Sequence, residues 1–156
     1  MDDHIPDDEL AHHEAGHAVV SSVLGFPPDY VTIARDGSAA GASGHAGGYK
    51  MVHGLGNLDQ MTVSYAGYAA HVKYAPDAGE RALRGARNDF GKAEKCMDVL
   101  PLGPGEREAL MQLKRSEAAK LVDEEWPAVQ HVARALQVEK TISSARLQEL
   151  IDGAVG

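Results

Sequence analysis

The stretch AHHEAGHAVV, residues 11–20, constrains this chain more than any other. It contains H-E-x-x-H as His13-Glu14-Ala15-Gly16-His17. Residues four apart on a helix lie one turn above each other on the same face, so the two imidazoles can converge on one metal ion. Glu14 is rotated off that direction but stays within reach of a water held by the ion, which is an arrangement for metal-assisted hydrolysis. Leu10, His13, His17, Val20 and Leu24 form one stripe at helical spacing, so the pair sits mid-face on a side expected to point inward. A lone histidine there would ordinarily be a hydrogen-bonded core residue. A pair at this spacing, flanked by Glu14, points to ligation.

The remaining elements follow from spacing and punctuation. A first helix is expected over 7–24, capped by Asp7 or Asp8 and ended by Gly25, Pro27 and Pro28. DYVTIARDG reads as a short strand with a turn. The segment from 37 to 56 is dense in glycine and reads as a surface loop, with an irregular edge strand beside the site as the alternative. Asn57 is expected to cap a second helix whose Leu58, Met61, Tyr65 and Val72 face inward until Pro76 stops it. PDAGERALRGAR reads as a charged connection, followed by a helix with Asn88 as N-cap and Asp89 in its first turn. PLGPGE breaks the chain, and a helix over 106 to about 125 follows, with Leu110, Leu113, Leu121 and Val122 inward. Trp126-Pro127 kinks it or starts a new helix, and Ser143 or Ser144 caps a last one bearing Leu147, Leu150 and Ile151. The fold class is therefore mainly α with a small early β element. One domain is expected across 1–156, with a core over about 8–152 and residues 1–6 disordered.

Charge and cysteine count narrow the function. A formal net charge of −8 argues against a broad phosphate-binding surface, so no nucleic-acid partner is expected. The acidic start MDDHIPDDEL resembles no secretory signal and no run approaches the ~20 apolar residues of a membrane span, so a cytoplasmic location with no membrane partner is expected. One cysteine, Cys96, excludes an internal disulfide and a Cys-rich zinc site. Any zinc must then be held by His and carboxylates, which is the catalytic style of site.

A catalytic zinc usually takes three protein ligands, so one is needed beyond His13 and His17. Val20 and Val23 occupy the places where the metzincin pattern needs glycine and a third histidine. Glu80, His71, Asp89 and Glu94 remain on chemical grounds, with Asp89 favoured as a short carboxylate at a helix start. His71 reads first as an ordinary helix residue, with an outer partner of a ligand or a fourth ligand in a closed site as alternatives.

HHEAGHAVV, YVTI, YAGYAAHVKY and GARNDFGKA follow one another as in the proteolytic domain of FtsH, the membrane-bound, ATP-dependent bacterial zinc protease. That family shows H-E-A-G-H-A, a V-T-I strand, a G-G-R-x-A-E-E helix and a G-A-S-N-D segment whose Asp is the third zinc ligand. TISSARLQELI is similar to its last helix, so the resemblance runs from about residue 8 to 152. It implies a helical zincin-like peptidase domain, with Zn2+ held by His13, His17 and Asp89 and with Glu14 as catalytic base. It also implies a substrate that is a peptide or unfolded polypeptide, added as an extended strand, for which residues 41–50 are the candidate template. Departures are clear. The family's A-E-E reads Ala70-His71-Val72, Arg87 replaces a serine beside Asp89, the loop after Leu100 is shorter, and a peptidase domain without membrane anchor or ATPase module is expected. A separate unfoldase partner is the corresponding expectation. The alternatives are a zinc-binding but inactive relative acting as an interaction module, and a plain helical domain with structural histidines. His4, His45, His53 and His131 read as exposed or structural, and Cys96 as a small buried apolar residue.

Overall fold

A computed structural model describes residues 5–34, 48–49 and 56–154. Six helices and three short strands follow in the order α1 (Asp7–Val23), β1 (Tyr30–Thr32), β2 (Gly48–Tyr49), α2 (Asn57–Tyr74), α3 (Glu80–Asp98), α4 (Pro104–Glu124), α5 (Trp126–Glu139), β3 (Thr141–Ser143) and α6 (Ser144–Gly153). The fold is mainly α with a small β element, as the sequence implies. None of the described helices is long and apolar enough to cross a membrane.

The central element is α1. An amphipathic stripe is expected from the sequence, yet every residue from Glu9 to Ser21 is buried. The helix packs most extensively against α2 and α5, and also touches α4 and β1. Small side chains allow this. A Cβ on Gly16 would lie 2.7 Å from the Ala66 carbonyl oxygen and 2.7 Å from Ala70 Cβ, so the α1 and α2 backbones approach more closely than any larger residue permits. No side chain caps α1, because Pro6 occupies the N-cap and Asp7, Asp8 and Glu9 form the first turn, where carboxylates favour the positive end of the helix dipole. Gly25, at φ +94°, turns the chain out of the helix, as its place before Pro27 and Pro28 implies.

Three sequence expectations about helices are corrected. PDAGERALRGAR is no connection: after Gly79, at φ +53°, α3 runs unbroken from Glu80, and Asp89 lies in its middle rather than its first turn. Leu113 is 53% exposed, and Lys114 takes the inward position, its Nζ donating to Glu117 Oε2 at 2.9 Å. Gly56, not Asn57, sits at the α2 N-cap. Ser143 caps α6 as expected, accepting from the Arg146 amide at 3.1 Å. Trp126 opens α5 with Pro127 in its first turn, where a missing amide proton costs nothing.

The strands form one antiparallel sheet in the order β2-β1-β3, with Val31 opposite Tyr49 on one side and Ile142 on the other. The early β element is therefore completed by a strand from the far end of the chain. Buried residues of all six helices meet in one apolar cluster, in which Met61, Leu136, Ile142 and Leu147 are the largest fully enclosed side chains. Each such burial stabilises by about 1.5–3 kcal/mol.

Candidate metal centre

The centre grows from α1. His13 and His17 project from successive turns with ring centroids 4.8 Å apart and planes at 81°, so that their Nε2 atoms stand 3.1 Å apart. From α3, Asp89 Oδ2 reaches 2.9 Å from His13 Nε2 and 3.0 Å from His17 Nε2. Asp89 belongs to the buried stripe of α3, with Ala82, Ala86, Ala93 and Cys96. Helical geometry therefore aims it inward, while Leu83, Arg87, Phe90 and Glu94 line an open groove on the outer side of the same helix.

Electrostatics holds the three groups together. Burial alone would raise the pKa of Asp89, but the facing His17 and the hydrogen bonds to both imidazoles bring it well below the usual carboxylate range. The carboxylate stays ionised through its partners, not through a helix N-terminus. His17 is oriented by its Nδ1–H, which donates to the Val63 carbonyl at 2.7 Å and turns Nε2 toward Asp89 and His13.

These donors fit a small divalent cation. Ligands about 2.0–2.1 Å from a tetrahedral zinc stand roughly 3.3 Å from one another. The observed separations of 2.9, 3.0 and 3.1 Å fall just inside that spacing. Gly67 on α2 leaves space beside the two imidazoles that an ion could use: a Cβ there would lie 2.8 Å from His13 Nε2, 2.7 Å from His17 Cε1, and against His17 Nε2. Sequence reasoning missed Gly67. A glycine inside a helix costs roughly 1 kcal/mol relative to alanine, and that cost was the available signal.

Glu14 occupies a different place from Asp89. The donor atoms of His13, Glu14 and His17 lie within 4.8 Å of one another, so Glu14 also stands among the possible donors. Asp89 touches both imidazoles, whereas Glu14 Oε1 stands 4.0 Å from His13 Nε2. Glu14 Oε2 is buried without a hydrogen-bond partner among the described residues. Burial pushes its pKa up to about 7, with His13 holding it back. That is the range in which a general base works best at neutral pH.

Behind His13 lies a second polar cluster, most of it unforeseen. His71 is fully buried and its Nε2 is 2.8 Å from Glu9 Oε1, while Arg81 spans Glu9 with bonds of 3.1 and 3.0 Å. Burial pushes Glu9 up, but the bonds from Arg81 and His71 outweigh it and the net direction is down. Burial lowers His71 more than Glu9 raises it, so the ring is favoured neutral. His12, between Glu9 and His13 in α1, takes no part in the centre: it stacks on Tyr74 at 3.7 Å and its Nδ1–H donates to the Asp8 carbonyl.

The other candidates separate cleanly. Glu80 and Glu94 are exposed on α3 and line its outer groove. His131 donates to the Leu150 carbonyl at 2.8 Å, and Cys96 is buried. His4, His45 and His53 fall outside the described residues, as does the 41–50 template apart from the edge strand β2. No protein-family model and no curated protein matches this chain.

Proposed function

We propose that this protein is a zinc-dependent metallopeptidase of the kind found in the FtsH proteolytic domain, acting on peptides or unfolded polypeptides. One observation carries the reading: a carboxylate 72 residues downstream of His17 lies 3.0 Å from its Nε2, within the buried H-E-x-x-H turn. His13, His17 and Asp89 would hold the ion, a two-histidine, one-carboxylate set that leaves a position for water. When bound, zinc supplies an acidified water and an electrophile for the scissile carbonyl. Glu14 would accept the water's proton and pass it to the leaving amine, a role favoured by its burial and its free Oε2. Zinc is the proposed ion because two imidazoles and one carboxylate are its usual catalytic donor set. A cytoplasmic location belongs to the same reading, as does a separate unfoldase that would deliver folded substrates.

A second reading is favoured by the depth of the centre. His13, Glu14, His17 and Asp89 are all less than a tenth exposed, as in a closed metal site that organises an interaction module. The two part on one experiment. Metal content and hydrolysis of unfolded casein and short peptides are measured for the wild type and for Glu14→Gln. The peptidase reading expects zinc in both and a loss of about 10²–10⁴-fold in hydrolysis for the variant. Zinc in both with equal inactivity makes the module the better reading. A wild type that takes up no metal ends both.

A further inference from the structure

Two buried ring nitrogens beside the centre have no hydrogen-bond partner among the described residues, His13 Nδ1 and His71 Nδ1. Their rings stand almost perpendicular, at 89°, with centroids 6.0 Å apart. The opposite nitrogen of each ring decides what its Nδ1 can do. Glu9 is a carboxylate spanned by Arg81 and can only accept, so His71 Nε2, at 2.8 Å, carries that ring's proton. His71 Nδ1 is then an acceptor without a donor. His13 is the reverse: with Nε2 committed to a metal, its proton must sit on Nδ1, a donor without an acceptor. Both rings are sealed from solvent, His13 at 3% and His71 at 0% exposure, so bulk water satisfies neither.

We propose that His71 is the positioning residue of the metal centre: His13 Nδ1–H donates through one buried water to His71 Nδ1, and Glu9 with Arg81 holds His71 in the accepting tautomer. This rests on the metal-binding reading above. The ring separation is too long for a direct bond and suits a single bridging water. The chain Arg81–Glu9–His71–water–His13 would fix the ligand ring and raise its basicity, as outer partners of metal-bound histidines do. It also accounts for why a histidine tolerates full burial at position 71. A fourth-ligand role fits less well, because Nε2 is already engaged by Glu9 and the ring lies outside the converging donor cluster.

Long-range proton–nitrogen spectra of the zinc-loaded wild type test the tautomers directly. The expected result is His71 protonated on Nε2 and His13 on Nδ1, the latter proton exchanging slowly. Zinc affinity, read by competition with a chromophoric chelator, should fall about 10–100-fold in His71→Leu. His71→Gln, whose amide oxygen can accept, should recover most of that loss. A wild-type His71 protonated on Nδ1 overturns the inference while the metal reading stands. So does a His71→Leu variant with undiminished zinc affinity. Should His71→Leu fail to fold, the wild-type spectrum decides alone. A wild type that binds no zinc removes both the inference and the reading beneath it.

Discussion

The interface between α1 and α2 and the one that joins α5, β3 and α6 are built from different materials. The first brings together Ala15, Gly16, Ala66, Gly67 and Ala70, and between them buries His13, His17, His71 and Gln60. The second buries Val132, Leu136, Ile142, Leu147 and Leu150, and keeps its Arg146–Glu139 ion pair on the surface. Buried polar groups lacking full partners cost about 1–3 kcal/mol each, whereas enclosed leucines stabilise by similar amounts. His13 Nδ1, Glu14 Oε2, Gln60 Oε1 and His71 Nδ1 all carry that cost on or beside α1–α2. The apolar end of the molecule stabilises the fold, and the polar end carries buried atoms that a ligand or a bound water would satisfy.

Gly67→Ala breaks the comparison most severely. In an ordinary helix interior the change stabilises by about 1 kcal/mol. Here the added methyl would lie 2.8 Å from His13 Nε2 and closer still to His17. Zinc sites bind with roughly 10 kcal/mol or more, and displacement of both imidazoles should remove most of it. Calorimetric titration with zinc is expected to show no binding at micromolar protein. Retained affinity within a few-fold of wild type would mean that the ion does not sit beside position 67.

Leu147→Ala acts at the other interface. The side chain is fully enclosed in the apolar cluster, so a loss of 2–5 kcal/mol in unfolding free energy is expected from urea denaturation. Zinc affinity of the folded variant should be unchanged. A variant that loses metal binding in proportion to stability would show that the two regions are coupled rather than separate.

The sequence shows the polar region more readily than it shows what completes it. H-E-x-x-H is local, so His13, Glu14 and His17 are visible in five residues, and Gly25 and Pro76 end their helices as their chemistry requires. Asp89 is only one of four chemical candidates until a family resemblance singles it out, and the reason first favouring it, a helix start, is incorrect. Its true signal is its place in the spacing of Ala82, Ala86, Ala93 and Cys96, hidden because Gly85 suggests a connection. A Cβ at Gly85 would lie 2.8 Å from Ile5 Cδ1, so that glycine serves packing and not a turn. Gly67 and the Glu9–His71 pair depend on how α1 crosses α2, and β3 exists only because β1 lies opposite Thr141–Ser143. Such non-local features leave no periodicity to read.

The protonation of Glu14 gives a further contrast in metal-free protein. Its folded pKa, about 7, exceeds the ordinary carboxylate value of 4.5, so the native state binds more protons than the unfolded state between those limits. Stability contributed by this residue should therefore fall as pH rises through that window, by about 3 kcal/mol in total. The lowered His12 and His71 act in the opposite sense below their ordinary value of 6.5. The useful quantity is thus the difference between wild type and Glu14→Gln, measured by urea denaturation in chelator from pH 4.5 to 8. The variant should gain relative stability with rising pH. A flat difference would place Glu14 in contact with water and weaken its assignment as a base tuned by burial.

Gly91→Ala is the smallest change and the control for the largest. Gly91 lies inside α3, two residues beyond Asp89, and a Cβ there would meet nothing within 4 Å. With no contact to disturb, only the helix preference remains, and the variant should be more stable by about 0.5–1 kcal/mol. Its zinc affinity should match wild type, since Asp89 and position 91 face different sides of the helix. The same substitution, glycine to alanine, would then abolish zinc binding at 67 and leave it unchanged at 91. Helix propensity cannot produce that difference, because it favours alanine at both sites. Only the side chains facing each glycine differ, open space at 91 and two imidazole nitrogens at 67, so a loss of binding at 67 alone would trace the effect to the centre itself.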